Sequence, residues 1–347
     1  MLALDLIQAG DLSTLTGGYI YNRRLLEVLA ARGWRTTVHR LQTSFPMPTA
    51  DALEEARAVF AAIPARRLVL VDGLALGGMP ELIEREAQRL RLVALVHHPL
   101  ALETGLSTVT ATALARAERR ALSAVRGIIV TSHATAGTLA VPGRRIGVVE
   151  PGTDPAPAAR GSGGGILELL CVATVTARKG HADLIEALGT LAHQPWRLTC
   201  VGSLQRCPAT VAALRQQIRT LRLEERVRLL GEVDSTTLSS CYEQSDLFIL
   251  PSYHEGYGMA LAEALAHALP VLSTRAGAIP ETVPARAGVL VPPGDSRALA
   301  EALARLLQEP ELRRRLAQGA AAARASLPDW EQAGRRFAEA IQRIIGP

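Results

Sequence analysis

Two carboxylates eight residues apart, Glu255 and Glu263, bracket the stretch best equipped for chemistry, SDLFILPSYHEGYGMALAE over residues 245–263. Leu247 to Leu250 reads as an apolar strand. Pro251 bounds it, Gly256 and Gly258 open a loop, and an Ala- and Leu-rich helix follows. In an α/β sheet, ligands bind beyond the carboxyl ends of the strands. The helix that starts there offers unpaired N–H groups and a positive dipole end to an anion. Without Cβ atoms at positions 256 and 258, a phosphate can approach the backbone closely. The pattern predicts a phosphorylated ligand with a carboxylate at each end. A sugar nucleotide has that outline: a hexose, a diphosphate and a ribose. A cation is available as well. Of the 38 basic residues only Lys179 is Lys, and it sits in the loop TVTARKG beside Arg178. Gly17-Gly18, ahead of the first predicted helix, is a second candidate phosphate or sugar contact.

The elements that would position these residues alternate. Strands are predicted at 2–8, 68–71, 92–96, 127–131 and 146–149, with helices at 19–31, 50–62, 80–89, 108–124 and 133–140 between them. Residues 155–165 (PAPAARGSGGG) have the composition of a flexible linker. The pattern then restarts, with strands at 167–173, 197–201, 226–230, 247–250, 271–273 and 288–291. Helices are predicted at 181–192, 209–221, 235–243, 296–307, 310–325 and 329–345. This βαβα alternation predicts parallel sheets with helices on both faces. A length of 347 residues suits two domains. Their boundaries are 1–155, joined by a C-terminal helix at 329–347, and 156–328.

Composition excludes several classes. With 48% apolar and 20% charged residues the chain is a folded globular protein, and a net charge of +5 without a basic stripe argues against nucleic acid. Cys171, Cys200, Cys207 and Cys241 show no C-x-x-C spacing, so they read as buried free thiols rather than a metal site. No apolar run approaches the length of a membrane span and no leader pattern opens the chain, so the expected location is cytoplasmic.

The run GEVDSTTLSSCYEQSDLFILPSYHEGYGMALAEALAHALPVLSTRAGAIPETV, followed by GVLVPPGDSRALAEAL, resembles the C-terminal domain of the retaining glycosyltransferases of family 4, the group 1 glycosyl transferases. Its E-x7-E pair is Glu255 and Glu263. The resemblance extends to TGGYIYNRRLLEVLAARGW, to VHHP and to ATVTARKGHADLIEAL, so it spans nearly the whole chain. It implies the GT-B fold: two Rossmann-like doubly wound domains facing each other across a cleft, with the C-terminal helix crossing back to the N-terminal domain. It also implies transfer of a hexose from a nucleotide-diphosphate sugar, UDP-hexose by preference, to a hydroxyl acceptor with retention. The mechanism implied is front-face displacement.

Roles follow residue by residue. Glu255 would hold hydroxyls of the donor sugar and Glu263 the ribose diol. Gly256, Tyr257, Gly258 and Met259 would meet the diphosphate or sugar through their amides, and Lys179 would stabilise the leaving diphosphate. His97 would contact the donor sugar near the reacting carbon, with His98 the rival assignment, and Gly18 would approach the diphosphate. Asp11, Tyr21, Asn22, His98 and residues 100–106 are candidate acceptor contacts. The family's usual second phosphate ligand, an Arg five residues before the Lys, is Thr174 here, and Arg178 is the candidate replacement. Ala268 stands where the family usually has Gly, which reads as a packing difference. No Asp-x-Asp occurs, so no metal or other cofactor is expected. The acceptor could be a small molecule, a glycan or a lipid-linked acceptor, with peripheral membrane contact left open. Competing readings are a GT-B sugar-nucleotide epimerase or phosphorylase, and a non-catalytic GT-B binding partner.

Overall fold

A computed structural model describes residues 3–139 and 141–346; Leu2 of the first predicted strand and Ala140 of the helix predicted at 133–140 lie outside the described residues, as do Met1 and Pro347. The chain divides into two compact units. One comprises Met1–Thr14, Gly18–Gly152 and Trp330–Pro347, the other Leu15–Gly17 and Thr153–Asp329.

The first unit holds a six-stranded parallel sheet of β1 (Ala3–Ala9), β2 (Arg35–Leu41), β3 (Leu68–Asp72), β4 (Arg91–Val96), β5 (Gly127–Val130) and β6 (Arg145–Val148). Its strand order is β2-β1-β3-β4-β5-β6. The second unit repeats the plan with β7 (Leu167–Val172), β8 (Trp196–Val201), β9 (Val227–Gly231), β10 (Leu247–Leu250), β11 (Val271–Thr274) and β12 (Gly288–Val291), in the order β12-β11-β10-β7-β8-β9. Central strands such as LVLVD and LFIL are buried along their whole length. A parallel strand covered by helices on both faces has no solvent side, so a continuous apolar run is the sequence such a position requires. Each unit has its own core, around Ile7, Phe60, Val71 and Ile128 in the first and Leu170, Phe248 and Leu272 in the second.

The sequence reading missed one strand. β2 (RTTVHRL) lies at the sheet edge with most residues exposed and shows neither an apolar run nor clean alternation. Its register with β1 pairs Ala3 with Arg35 through Ala9 with Leu41, and His39 Nε2 lies 2.7 Å from Asp5 Oδ1. Tertiary pairing makes this strand; local pattern does not.

The expected flexible linker is also corrected. Residues 155–165 are tied down inside the second unit. Ala159 N–H donates to His267 O (2.7 Å), Arg160 N–H to Glu243 O (2.8 Å) and Ser162 N–H to Asp246 Oδ1 (3.1 Å). Small residues let this segment lie close to the domain surface. The final helix, Trp330–Ile345, packs on the first unit as the crossing-back expectation required. Phe337 meets Trp34 edge to face at 6.3 Å, Trp330 meets Tyr21 at 6.0 Å, and Ala340 lies against Gly147. A Cβ on Gly152 would lie 2.4 Å from the backbone of Trp330, so only glycine fits where the chain meets this helix.

Ala268 is more than a packing difference. Its φ of 57° puts it in the left-handed region, where glycine is unstrained. Ala268→Gly is therefore expected to stabilise the protein by up to about 1 kcal/mol, with strain relief partly offset by the freer unfolded chain. Gly152→Ala should cost about 1–3 kcal/mol through overpacking. Urea or thermal unfolding measures both, and a Tm unchanged by Gly152→Ala would contradict the contact.

Candidate active site

In the second unit, β7 and β10 pair directly, Leu169 with Leu247 and Leu170 with Phe248. The chain leaves β7 toward β8 on one side and β10 toward β11 on the other. Strand order reverses here, so the two following loops part and leave a crevice at the strands' carboxyl ends. The loop after β7 ends in a tight turn, Ala177–Lys179, and then Gly180, whose φ is +69°. A Cβ on Gly180 would lie 2.1 Å from Pro251 O. The two loops touch there, and the contact requires glycine. The loop after β10 runs from Pro251 to Gly258, whose φ of +89° opens the helix Met259–Ala266.

Glu255 is the centre of this crevice. It is buried, with Oε1 accepting from Lys179 Nζ (2.6 Å) and from Ser252 Oγ (2.6 Å). Arg178 Nη1 lies 3.8 Å from Oε2 and donates to His254 O at 2.8 Å. Burial alone would raise the pKa of this carboxyl, but the Lys179 and Arg178 charges overcome it and hold the group at about 2. Its backbone is fixed as well, with Ala278 N–H donating to Glu255 O (2.9 Å) and Gly277 too close to that carbonyl to carry a side chain. Arg178, rather than Thr174, thus joins the cation pair. Gly256, Tyr257 and Gly258 are buried beside it, Met259 is half-buried, and Thr282 Oγ1 donates to Tyr257 O (2.6 Å).

Glu263 is held differently. Its Oε2 accepts from the buried Tyr242 hydroxyl at 2.9 Å. Burial raises its pKa to about 7; the Tyr242 bond lowers it and the Asp154 charge raises it further. Two carboxylates on one loop and helix therefore have opposite acidities, because one has cations and the other does not.

In the first unit, His97 follows β4, and its ring packs over Gly18, where a Cβ would lie 3.2 Å from His97 Cδ2. Asn22 Nδ2 donates to Gln8 Oε1 (3.0 Å) and to Asp72 Oδ2 (3.2 Å), which leaves Asn22 Oδ1 to face His97 Nε2 at 2.9 Å. That oxygen only accepts, so His97 carries its proton on Nε2 and keeps Nδ1 as an acceptor. Burial lowers the pKa of His97, opposed by the Asp72 charge, so the ring is neutral near pH 7.

Two acceptor assignments are corrected here. Tyr21 is fully buried and donates to Val149 O (3.1 Å), and Asn22 is 2% exposed with its amide committed to Gln8, Asp72 and His97. Neither has surface for an acceptor; both support His97 from within. His98 lies 3.9 Å from Glu103, half-buried. Asp11 is turned to its own loop, accepting from Ser13 N–H (2.8 Å) and Arg40 (2.7 Å). Residues 100–106 open with a short turn, Leu100–Leu102, whose first N–H meets the buried Glu118 carboxylate at 3.3 Å. Sequence reasoning missed Ser252, Asp72 and Tyr242. Asp72-Gly73 at a strand end was a visible signal; nothing local marked the other two.

Residues 158–323 match the sequence model described as glycosyl transferases group 1. The chain carries a group 1 glycosyl transferase domain. Arg178, Lys179, Glu255 and Glu263 all lie within that domain. The chain is 37% identical over 153 residues to the putative colanic acid biosynthesis glycosyltransferase WcaL of Escherichia coli (strain K12), which covers 41% of this chain and 36% of WcaL. It is 32% identical over 192 residues to the glycogen synthase of Mycobacterium tuberculosis (strain ATCC 25618 / H37Rv), 54% of this chain and 45% of that protein. The chain thus spans less than half the length of these curated relatives. Among solved structures it superposes on sucrose-phosphate synthase from Thermosynechococcus elongatus with a TM-score of 0.84 at 22% identity, over 99% of each chain. Anabaena HepE in complex with UDP and glucose gives 0.80 at 18% identity, over 99% of this chain and 100% of that one. At such identities the likeness shows the fold, and the fold is GT-B. Among the described residues, no helix is long and apolar enough to cross a membrane.

The Glu263 carboxyl sets a pH dependence. Its folded pKa is raised above the unfolded value, so its contribution to stability is full below pH 4.5 and is lost as pH rises through about 7. Glu263→Gln removes that loss. The variant should gain on the wild type between pH 5 and pH 8 by up to about 3 kcal/mol. Parallel unfolding curves across that range would overturn the assignment.

Proposed function

We propose that this protein is a retaining glycosyltransferase that moves a hexose from a UDP-hexose to a hydroxyl acceptor, without a metal or other cofactor. The observation that carries the proposal is the buried Glu255 cluster, with Lys179 and Arg178 held against one carboxylate beside the start of the helix Met259–Ala266. Departure of a nucleoside diphosphate develops negative charge on the leaving oxygens. Cations already fixed by Glu255 stabilise that charge without reorganising during the reaction. Glu255, an acceptor across the working pH range, holds donor-sugar hydroxyls. Glu263 accepts the two ribose hydroxyls. Its bond from Tyr242 keeps the carboxylate oriented. His97, neutral and with Nδ1 as acceptor, takes a further hydroxyl of the donor sugar. Gly18, in the first turn of the helix Gly17–Ala31, offers its backbone N–H to the diphosphate.

In the step itself, the acceptor oxygen bonds to the anomeric carbon on the face the diphosphate leaves. The bond from that carbon to the diphosphate oxygen breaks, and a diphosphate oxygen takes the acceptor proton. No side-chain nucleophile is needed; Glu255, neutralised by two cations, is a poor one. The solved HepE structure with UDP and glucose supports the choice of donor. The acceptor is a hydroxyl-bearing small molecule or glycan, and the reaction belongs to the cytoplasm.

A thermal-shift series with UDP- and GDP-sugars tests the donor. UDP-hexoses are expected to raise the Tm, and a panel with no stabilising sugar nucleotide would sink the proposal. Glu263→Ala should weaken UDP binding by about 1–3 kcal/mol, the cost of losing hydrogen bonds to a charged group. Glu255→Gln should retain UDP binding while transfer falls about 100-fold or more. Equal loss of UDP affinity in both variants would contradict the separate roles.

A further inference from the structure

Three residues that spacing kept apart meet behind the Lys179 turn. Cys171 on β7 and Cys200 on β8 are register partners in adjacent parallel strands, so their side chains leave the same face of the sheet. His181 is the first residue of the helix that follows Gly180 and points onto that face. The two sulfurs and a histidine nitrogen lie within 4.8 Å of one another, and all three residues are buried. Cys171 Sγ is 3.7 Å from His181 Nε2, while His181 Nδ1 has no hydrogen-bond partner. Among the described residues, the hydrogen-bond partner of this buried imidazole is a thiol sulfur, an expensive arrangement unless something else uses it.

We propose that Cys171, Cys200 and His181 form a three-coordinate site for a thiophilic metal ion, with monovalent copper as the ion it suits. Metal–sulfur bonds near 2.3 Å and metal–nitrogen bonds near 2.0–2.1 Å put ligand atoms roughly 3.5–4 Å apart around a central ion. The triangle therefore needs only a small contraction. Sulfur and imidazole ligands select soft ions. Structural zinc takes four protein ligands, and catalytic zinc keeps an open position for water. This site offers three ligands and no exposed face, which fits Cu(I) better. Loading displaces the protons of the ligating thiols, and no electron is transferred. Cys207 and Cys241, both partly exposed, lie outside the cluster and serve as internal controls.

The test is an anaerobic titration of the full chain with Cu(I) against a chromophoric Cu(I) chelator, with a parallel Zn2+ titration. The expected result is one Cu(I) per chain, with thiolate-to-copper absorption in the ultraviolet. Cys171→Ser and Cys200→Ser should each weaken binding by about 100-fold or more, while a Cys207→Ser/Cys241→Ser double variant binds as the wild type. His181→Asn, which keeps both sulfurs, should also weaken binding and guards against a serine variant that fails to fold. The proposal fails if no 1:1 complex forms, if Zn2+ binds while Cu(I) does not, or if affinity follows Cys207 and Cys241. It also fails if the purified chain holds a Cys171–Cys200 disulfide in place of free thiols.

Discussion

A buried carboxylate cannot stay ionised without cations, and Glu255 is buried and ionised. That single constraint organises the second unit. Lys179 and Arg178 must reach it from the loop after β7, which requires β7 and β10 to be neighbours although 74 residues of chain, 173–246, separate them. Gly180 and Gly277 must be glycine because backbone from the neighbouring loop lies where a side chain would be. Ser252 completes the oxygen that Lys179 shares. Removing one partner of such a cluster leaves an uncompensated buried charge, which is far more costly than never having built it. The geometry is accordingly rigid before any ligand arrives, and rigidity is what electrostatic stabilisation of a leaving group requires.

The two carboxylates show how environment divides labour between identical side chains. Glu255 has its cations and is a strong acid; Glu263 has a tyrosine hydroxyl and a nearby aspartate and is a weak one. One turn of strand, loop and helix presents both. Their spacing in the chain says that they can flank a ligand. Their different acidities depend on residues far away in sequence, Lys179 and Tyr242, and could not be read from the motif.

The first unit makes the same point in a different chemistry. His97 is oriented by Asn22, and Asn22 by Gln8 and Asp72, through hydrogen bonds that link three strands and a helix. From sequence, Tyr21 and Asn22 read as surface groups near the ligand. They are interior, because the helix that carries them turns this face to the sheet. A polar residue on a helix face next to a glycine pair gives no local sign of whether it meets solvent or a buried partner.

Much of this protein was legible in the chain. The alternation of apolar runs and amphipathic segments determined two parallel-sheet domains, since a strand covered on both faces must be apolar throughout. The E-x7-E stretch, the lone lysine and the strand-ending histidine marked the candidate site, because ligand chemistry restricts residue types at loop ends. Tertiary structure alone decided the rest. It made a strand of RTTVHRL by pairing it at a sheet edge, and it pinned the Gly-rich segment to a domain surface. It placed Ala268 in the left-handed region, joined Lys179 to Glu255, and brought Cys171, Cys200 and His181 into one cluster. Each of these depends on which strands become neighbours, and strand order is settled by long-range packing, which local residue patterns do not encode.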